Sequence, residues 1–243
     1  MKRLLPIVAV AALTGGCASV PEGESVEHDP WERMNRGIYK FNDAADRAIM
    51  KPIARGYSAV LPEPVRQCVT NFSRNLLTPL YSVNNFLQGK PKEGTGELFR
   101  LAINSTVGIG GLFDVAAMNG IESHPEDFGQ TAAVWGVPAG PYVVVPFLGP
   151  QTLRDAVSLP LDIQMDPLYH YKVSSVRDRL YVLRLVNLRA NLLPLDDLLT
   201  DSADPYVTMR ESFLQNREFA IYDGDPPSDD DEFFDEFLED EDY

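Results

Sequence analysis

The amino-acid sequence predicts an all-α body with short non-helical hairpin segments, an export leader before it and a disordered acidic tail after it. Three observations carry this. Apolar residues recur at steps of three and four through most of the chain, in runs opened or closed by proline and glycine. Two uncharged stretches, Leu101 to Phe113 and Phe128 to Leu153, are interrupted by glycines or prolines that break regular helix. From Asp223 to Asp242 there are twelve acids and no Lys or Arg, a composition that cannot form a packed core.

The leader comes first. Lys2 and Arg3 supply positive charge, Leu4 to Leu13 an apolar stretch too short to span a bilayer, and Thr14-Gly15-Gly16-Cys17 a small-residue processing site, so residues 1–16 read as a signal peptide. Two glycines before a cysteine look like a bacterial lipobox, with Thr14 standing where Leu is more usual. Cys17 is then the acylated first residue of the mature chain, and residues 17–28 are a polar tether. Ala18 and Ser19 lack the Asp that commonly retains such lipoproteins at the inner membrane, which makes the periplasmic face of the outer membrane the expected location. With Cys17 lipidated, Cys68 has no partner in the chain, and the fold must be held by packing rather than a disulfide.

Charge separates the tail from the body. The chain has 21 basic and 36 acidic residues, a net −15; removal of Lys2 and Arg3 leaves 19 against 36, or −17. Subtracting the twelve acids of residues 223–243 leaves residues 17–222 at −5, and the three glutamates of the tether account for part of that, so the body, residues 29–222, is close to neutral. A near-neutral body with a polyanionic tail has no basic patch to neutralise phosphates, which excludes nucleic-acid binding.

Within the body, Asp29-Pro30 signals a helix start. Trp31, Met34, Ile38, Phe41, Ala45 and Ile49 then trace one apolar face until Lys51-Pro52 stops the pattern. A second run from Pro64 to Leu77 places Val65, Cys68, Val69, Phe72 and Leu76 together; Thr78-Pro79 interrupts it, and Leu80 to Leu87 continues until Gly89. Pro91 to Asn104 is a further helix. The uncharged stretch Phe128 to Leu153 is long enough to cross a bilayer, but Pro138, Pro141, Pro146 and Pro150 rule out a single lipid-exposed helix. Its sequence fits a bent or hairpin segment half in protein and half at the membrane boundary, or a buried loop and strand around Tyr142 to Val145. Ser174 to Leu192 sets Val176, Leu180, Leu183 and Asn187 against a face carrying Arg177 and Arg184. That face suits solvent or anionic groups. Asp204-Pro205 repeats the earlier helix start, followed by Met209, Phe213 and Phe219. In the tail, Phe233, Phe234, Phe237 and Leu238 fit either a segment that folds on a basic partner or a merely solubilising run.

Catalytic patterns are lacking. His28, His124 and His170 are far apart and share no metal-ligand spacing, so no metal or cofactor is expected. There is no Gly-x-Ser-x-Gly turn for a hydrolase. Gly108-Ile109-Gly110-Gly111 opens like a dinucleotide fingerprint, but Phe113 stands at its last glycine; a tight turn or close helix approach explains these glycines better. The adjacent acids Glu126-Asp127 and Asp196-Asp197 read as helix-end or surface groups.

Several runs together resemble the MlaA/VacJ lipoproteins from Asp29 to Phe219. They are Asp29-Pro30-Trp31-Glu32-Arg33-Met34-Asn35-Arg36 with Phe41-Asn42; Phe86-Leu87-Gln88-Gly89; Asn104 with Gly108 to Asp114; Phe128-Gly129-Gln130 through Trp135-Gly136-Val137, Gly140-Pro141-Tyr142 and Pro146-Phe147-Leu148-Gly149 to Thr152-Leu153-Arg154-Asp155; and Asp204-Pro205-Tyr206 with Arg210. The resemblance implies a ring-like, membrane-embedded multi-helix domain around an amphipathic channel. It implies a non-enzymatic lipoprotein that removes phospholipid misplaced in the outer leaflet and hands it to a periplasmic carrier, with a trimeric porin as neighbour. By position, Asn42, Asp43, Gly136, Val137 and Pro138 would bear on the lipid path, and Trp135, Tyr142, Phe147 and Leu148 would face the membrane. A structural lipoprotein bracing a porin and a lipid hydrolase are the alternatives.

Overall fold

The computed structural model describes residues 29–227; the expected leader, Cys17, the tether and the acidic run beyond 227 lie outside the described residues. The described chain is mostly helical. Helix α1 (Glu32–Ala45) passes through a π-helical turn (Asp46–Met50) directly into α2 (Lys51–Val60), so Lys51-Pro52 is not the stop that sequence predicts. Pro52 occupies the first turn of α2, where a missing N–H costs little, and the wider turn before it absorbs the change of register. Arg189 locks that turn from outside, donating from Nε and Nη2 to the Asp46 carboxylate at 2.8 Å each.

Thr78-Pro79 likewise does not divide α3 (Glu63–Leu87), which runs unbroken for 25 residues with Pro79 inside. The Thr78 hydroxyl turns back onto the carbonyl of Arg74, 3.2 Å away. Through Gln88-Gly89, with Gly89 at φ 77°, the chain reverses into α4 (Pro91–Thr106). Ser82 meets the carbonyl of Gly94 and Asn75 meets Ser105, an antiparallel pairing of the two helices.

The short α5 (Val115–Met118) and α6 (Phe128–Val134) follow. Next comes a two-stranded antiparallel hairpin, β1 (Tyr142–Val145) and β2 (Gly149–Thr152), in register Tyr142 to Thr152 and Val145 to Gly149. The body is therefore helical with one small sheet, and the strand alternative for Tyr142 to Val145 is the one the fold adopts. Helix α7 (Leu153–Met165), α8 (Ser174–Leu192), α9 (Asp196–Thr200) and α10 (Pro205–Ile221) complete the fold. α8 has the boundaries that periodicity predicts, but not a single apolar face: Val186 and Ala190 are buried while Val182, Leu185 and Leu188 are exposed. α10 begins on Asp204, whose carboxylate accepts from the amides of Tyr206 and Val207. Asp29 does not cap α1 in this way, because its carboxylate is drawn into the interior.

Polarity is distributed inside out. Among the described residues, nine hydrophobic side chains are buried against twenty polar or charged ones, while large apolar side chains line much of the exterior. A water-soluble domain of this size buries the reverse. The apolar core that exists is small: Tyr142, Val144 and Tyr206, flanked by Ile38, Tyr39, Val207, Met209, Phe213 and Leu214. No described helix is long and apolar enough to cross a membrane.

Candidate functional site

Two asparagines on α1 set the position of the hairpin. Asn35, with no exposed surface, donates to the Tyr142 carbonyl at 3.0 Å and accepts from the Val144 amide at 2.9 Å. One helical heptad on, Asn42 donates to the Val145 carbonyl at 3.0 Å and accepts from the Phe147 amide at 2.8 Å. Residues seven apart share a helix face, so the two carboxamides act as a surrogate edge strand along β1. Asn35 also donates to Asp29 at 2.7 Å, and Asp29 accepts from the Tyr206 hydroxyl and from Arg210. Burial, and then the bond to Asp29, raise the pKa of Tyr206; burial raises that of Tyr142, whose own hydroxyl has no hydrogen-bond partner among the described residues.

The hairpin turn is held in an unusual conformation. Phe147 has φ 64°, a region that β-carbon sterics disfavour, yet its side chain is 77% exposed and its ring meets that of Phe41 edge-on at 5.1 Å. Asn42 supplies the partner for its amide. Leu148 beside it and Trp135 are also exposed, with the Trp135 Nε1 donating to the Leu87 carbonyl at 3.0 Å.

Tyr142 departs from the sequence expectation. It is 1% exposed and does not face outward, because strand alternation turns residues 142 and 144 toward Tyr206 and Phe213. Asp43 is half-buried on α1 one turn beyond Tyr39, and accepts from Arg47 a further turn on. Gly136, at φ 85°, begins the bend that carries Val137 and Pro138 to the open end of the hairpin. Asn42 and residues 136–138 are thus at opposite ends of the sheet. Arg154 holds the second of these: its amide donates to the Ala139 carbonyl and its Nη1 to the Val137 carbonyl, at 3.0 and 3.1 Å.

Behind Arg154 is a buried ion network that the sequence did not announce. Arg217 of α10 forks onto Asp127 with two bonds of 2.7 Å and onto Asp155 at 2.8 and 3.1 Å. Burial opposes the Arg217 charge, but these two carboxylates outweigh it and raise the pKa. Burial likewise opposes ionisation of Asp127, and Arg217 more than compensates, holding its carboxyl below the usual range. Asp127 also caps α6 through the Gln130 amide. Gly129 has to be glycine here, since a β-carbon would lie 2.3 Å from Asp155 and 2.4 Å from Arg217. Asp162, which accepts from the Phe128 amide, is pushed up to about 6 by burial, with the charge of Asp127 adding to the effect. Glu126 is buried rather than on the surface, paired with Gln88 and Lys90.

Between β2, the start of α7 and α10 there is an open cavity of about 600 Å³, walled by Thr152, Arg154, Arg210, Arg217 and the apolar Leu214 and Ile221. Nothing in it has the geometry of a nucleophile and base, and no cluster of His, Cys, Asp and Glu suited to a metal ion occurs among the described residues. What the arrangement offers is hydrogen-bonding polar surface inside and apolar surface outside. Of its elements, Asn35 had a legible signal, an asparagine seven residues before another on an otherwise apolar face. The ion network had none, because its members come from three distant segments.

The chain matches the MlaA lipoprotein family over residues 27–220. It is similar to the intermembrane phospholipid transport system lipoproteins MlaA of Shigella flexneri and of Escherichia coli K12, 35% identical to each over 227 residues, covering 92% of this chain and 90% of the relative. A structure solved to explain the maintenance of bacterial outer-membrane lipid asymmetry matches with a TM-score of 0.70 at 35% identity, covering 79% of this chain and 98% of that one.

Proposed function

We propose, since this chain belongs to the MlaA lipoprotein family, that it is a non-enzymatic lipoprotein, anchored through Cys17 at the periplasmic face of the outer membrane. It withdraws phospholipid from the outer leaflet through an amphipathic path and passes it to a periplasmic carrier, beside a trimeric porin. One observation carries the reading, the inverted polarity of the body. Apolar side chains such as Val60, Phe99, Met118, Phe147 and Val157 are stable outside only if something other than water covers them, and lipid chains do so. A polar interior is what a headgroup needs in order to leave water without losing its hydrogen bonds. In this reading Trp135, Phe147 and Leu148 rest against lipid, while Asn42, Asp43 and the Gly136-Val137-Pro138 bend shape the path.

The test has two parts. Deleting the protein should raise surface-exposed phospholipid and detergent sensitivity, and unchanged levels would refute the reading. Mass spectrometry of lipids retained by gently purified protein should find intact diacyl phospholipid. Lysophospholipid or released fatty acid would instead mean a hydrolase, and co-purified porin with no lipid a bracing role.

A further inference from the structure

Helix α10 presents the cavity with a seven-residue repeat: Arg210 and Arg217, Glu211 and Glu218, Leu214 and Ile221 all line it. Each pair is two helical turns apart, so the wall carries a cationic row, an anionic row and an apolar row side by side. The cations are largely spoken for. Arg210 is bound to Asp29 and Glu211, and Arg217 to Asp127 and Asp155.

Arg154 differs. Its side chain is only 6% exposed, Nε lies 3.5 Å from an Asp155 carboxylate that Arg217 already engages, Nη1 is held by the Val137 carbonyl, and Nη2 makes no hydrogen bond among the described residues. Beside it the Thr152 hydroxyl accepts from the Asp155 amide and keeps its own proton to donate. On the α10 wall, Glu218 is exposed and forms no ion pair among the described residues. The cavity wall itself carries Arg154, Arg210, Arg217, Glu211 and Glu218; counted with Asp29, Asp127 and Asp155, which are bound to these guanidiniums, the group holds two more negative charges than positive. A net-anionic guest would add charge of the sign already in excess, and a simple cation would leave Arg154 Nη2 without an acceptor. A guest with both charges satisfies both walls.

We propose that this cavity recognises a zwitterionic headgroup, a phosphodiester bearing a primary or quaternary ammonium. The phosphodiester accepts from Arg154 Nη2 and the Thr152 hydroxyl, the ammonium faces Glu218 with Glu211 adding to the field, and the adjoining methylenes lie on Leu214 and Ile221. The assignment rests on the phospholipid reading above and deepens it, making the protein selective against net-anionic phospholipid. Its size, about 600 Å³, is that of a small-ligand site.

Calorimetric titration of the full-length purified lipoprotein tests this with three probes: a soluble short-chain diacyl phosphoethanolamine lipid, its phosphoglycerol counterpart and free phosphoethanolamine. The phosphoethanolamine lipid should bind at least tenfold tighter than the phosphoglycerol lipid. Glu218→Gln, at an exposed and unbonded position where folding is not at stake, should cut that ratio below threefold. Arg154→Gln should weaken both lipids together, by about tenfold. Equal affinities in the wild type, or a ratio that survives Glu218→Gln, would overturn the proposal; so would free phosphoethanolamine binding as tightly as the lipid, which would make the guest a soluble zwitterion. If selectivity is absent yet deletion still raises surface phospholipid, the pocket assignment fails and the transport reading stands. If deletion changes nothing, the transport reading fails whatever the titration gives.

Discussion

Replacing Asn35 with alanine removes three hydrogen bonds at a position with no exposed surface: to Asp29 at 2.7 Å, to the Tyr142 carbonyl at 3.0 Å and from the Val144 amide at 2.9 Å. The partners cannot turn to water, because Tyr142, Val144 and Asp29 are themselves buried. An orphaned buried polar group costs about 1–3 kcal/mol. The Val144 amide, the Tyr142 carbonyl and one lost bond to Asp29, which retains Tyr206 and Arg210, therefore sum to about 3–5 kcal/mol. For a domain near two hundred residues each kcal/mol moves the melting temperature by roughly 2–4 °C, so Asn35→Ala should lower it by about 10 °C. Asn42→Ala removes two bonds of similar length, 3.0 and 2.8 Å, but Asn42 is half-buried and its partners lie at an exposed turn that water can reach; about 1 kcal/mol is expected there. Thermal unfolding in mild detergent, followed by far-ultraviolet circular dichroism, ranks the two. A loss below about 1 kcal/mol for Asn35→Ala, or a larger loss for Asn42→Ala, would refute the idea that α1 serves as the edge strand of the hairpin.

Gly129→Ala should be severe and Gly136→Ala mild. The first drives a β-carbon into the bond between Asp155 and Arg217 and should cost about 3 kcal/mol by breaking a buried pair, whereas the second meets open space and pays only for its positive φ, about 1 kcal/mol; denaturation midpoints of the two variants check the order. Asp162 has a folded pKa raised to about 6, so its contribution is fully present at pH below its unfolded value and is lost as pH rises through about 6. Asp162→Asn, which keeps an acceptor for the Phe128 amide, should therefore exceed wild type by about 1 kcal/mol at pH 7.5, after allowance for partial exposure, and show no advantage at pH 4; equal gains at both pH values would exclude the charge as the cause. Phe147→Ser should leave the melting temperature within a few degrees yet weaken association with phospholipid vesicles, measured by flotation, because the side chain is exposed and contacts chiefly Phe41.

Some elements could be read from the chain because their causes are local. Asp204-Pro205 fixes the start of α10 through a carboxylate and the two amides beside it, and the bounds of α8 follow from a run of helix formers between breakers. The prolines misled because the proline rule concerns an isolated helix. At Pro52 a π-turn supplies the missing slack, and at Pro79 the packed partner α4 keeps α3 continuous. The strand at Tyr142 is four residues long, too few for alternation to decide between strand and loop. The ion network around Arg217 joins residues 62 and 90 positions apart, and no spacing rule reaches that far.

Periodicity on α1 is the instructive case. The steps Trp31, Met34, Ile38, Phe41 and Ile49 identify a helix with an apolar stripe, and in a water-soluble protein that stripe would point inward. Here Trp31, Met34, Phe41 and Ile49 are exposed, and Asn35 is the one side chain of α1 that is fully buried. A hydrophobic stripe defines an axis across a helix; the medium outside decides which end of the axis faces in. The sequence does carry a clue to that direction, since an asparagine repeated at seven residues is costly on an interior face unless the interior supplies backbone to bind. In α1 that backbone is β1, held by Asn35 and Asn42 along its length. Repeated carboxamides flanking an apolar stripe, next to an uncharged proline-rich segment, therefore point to a helix that keeps its hydrogen bonds inside and much of its apolar surface outside.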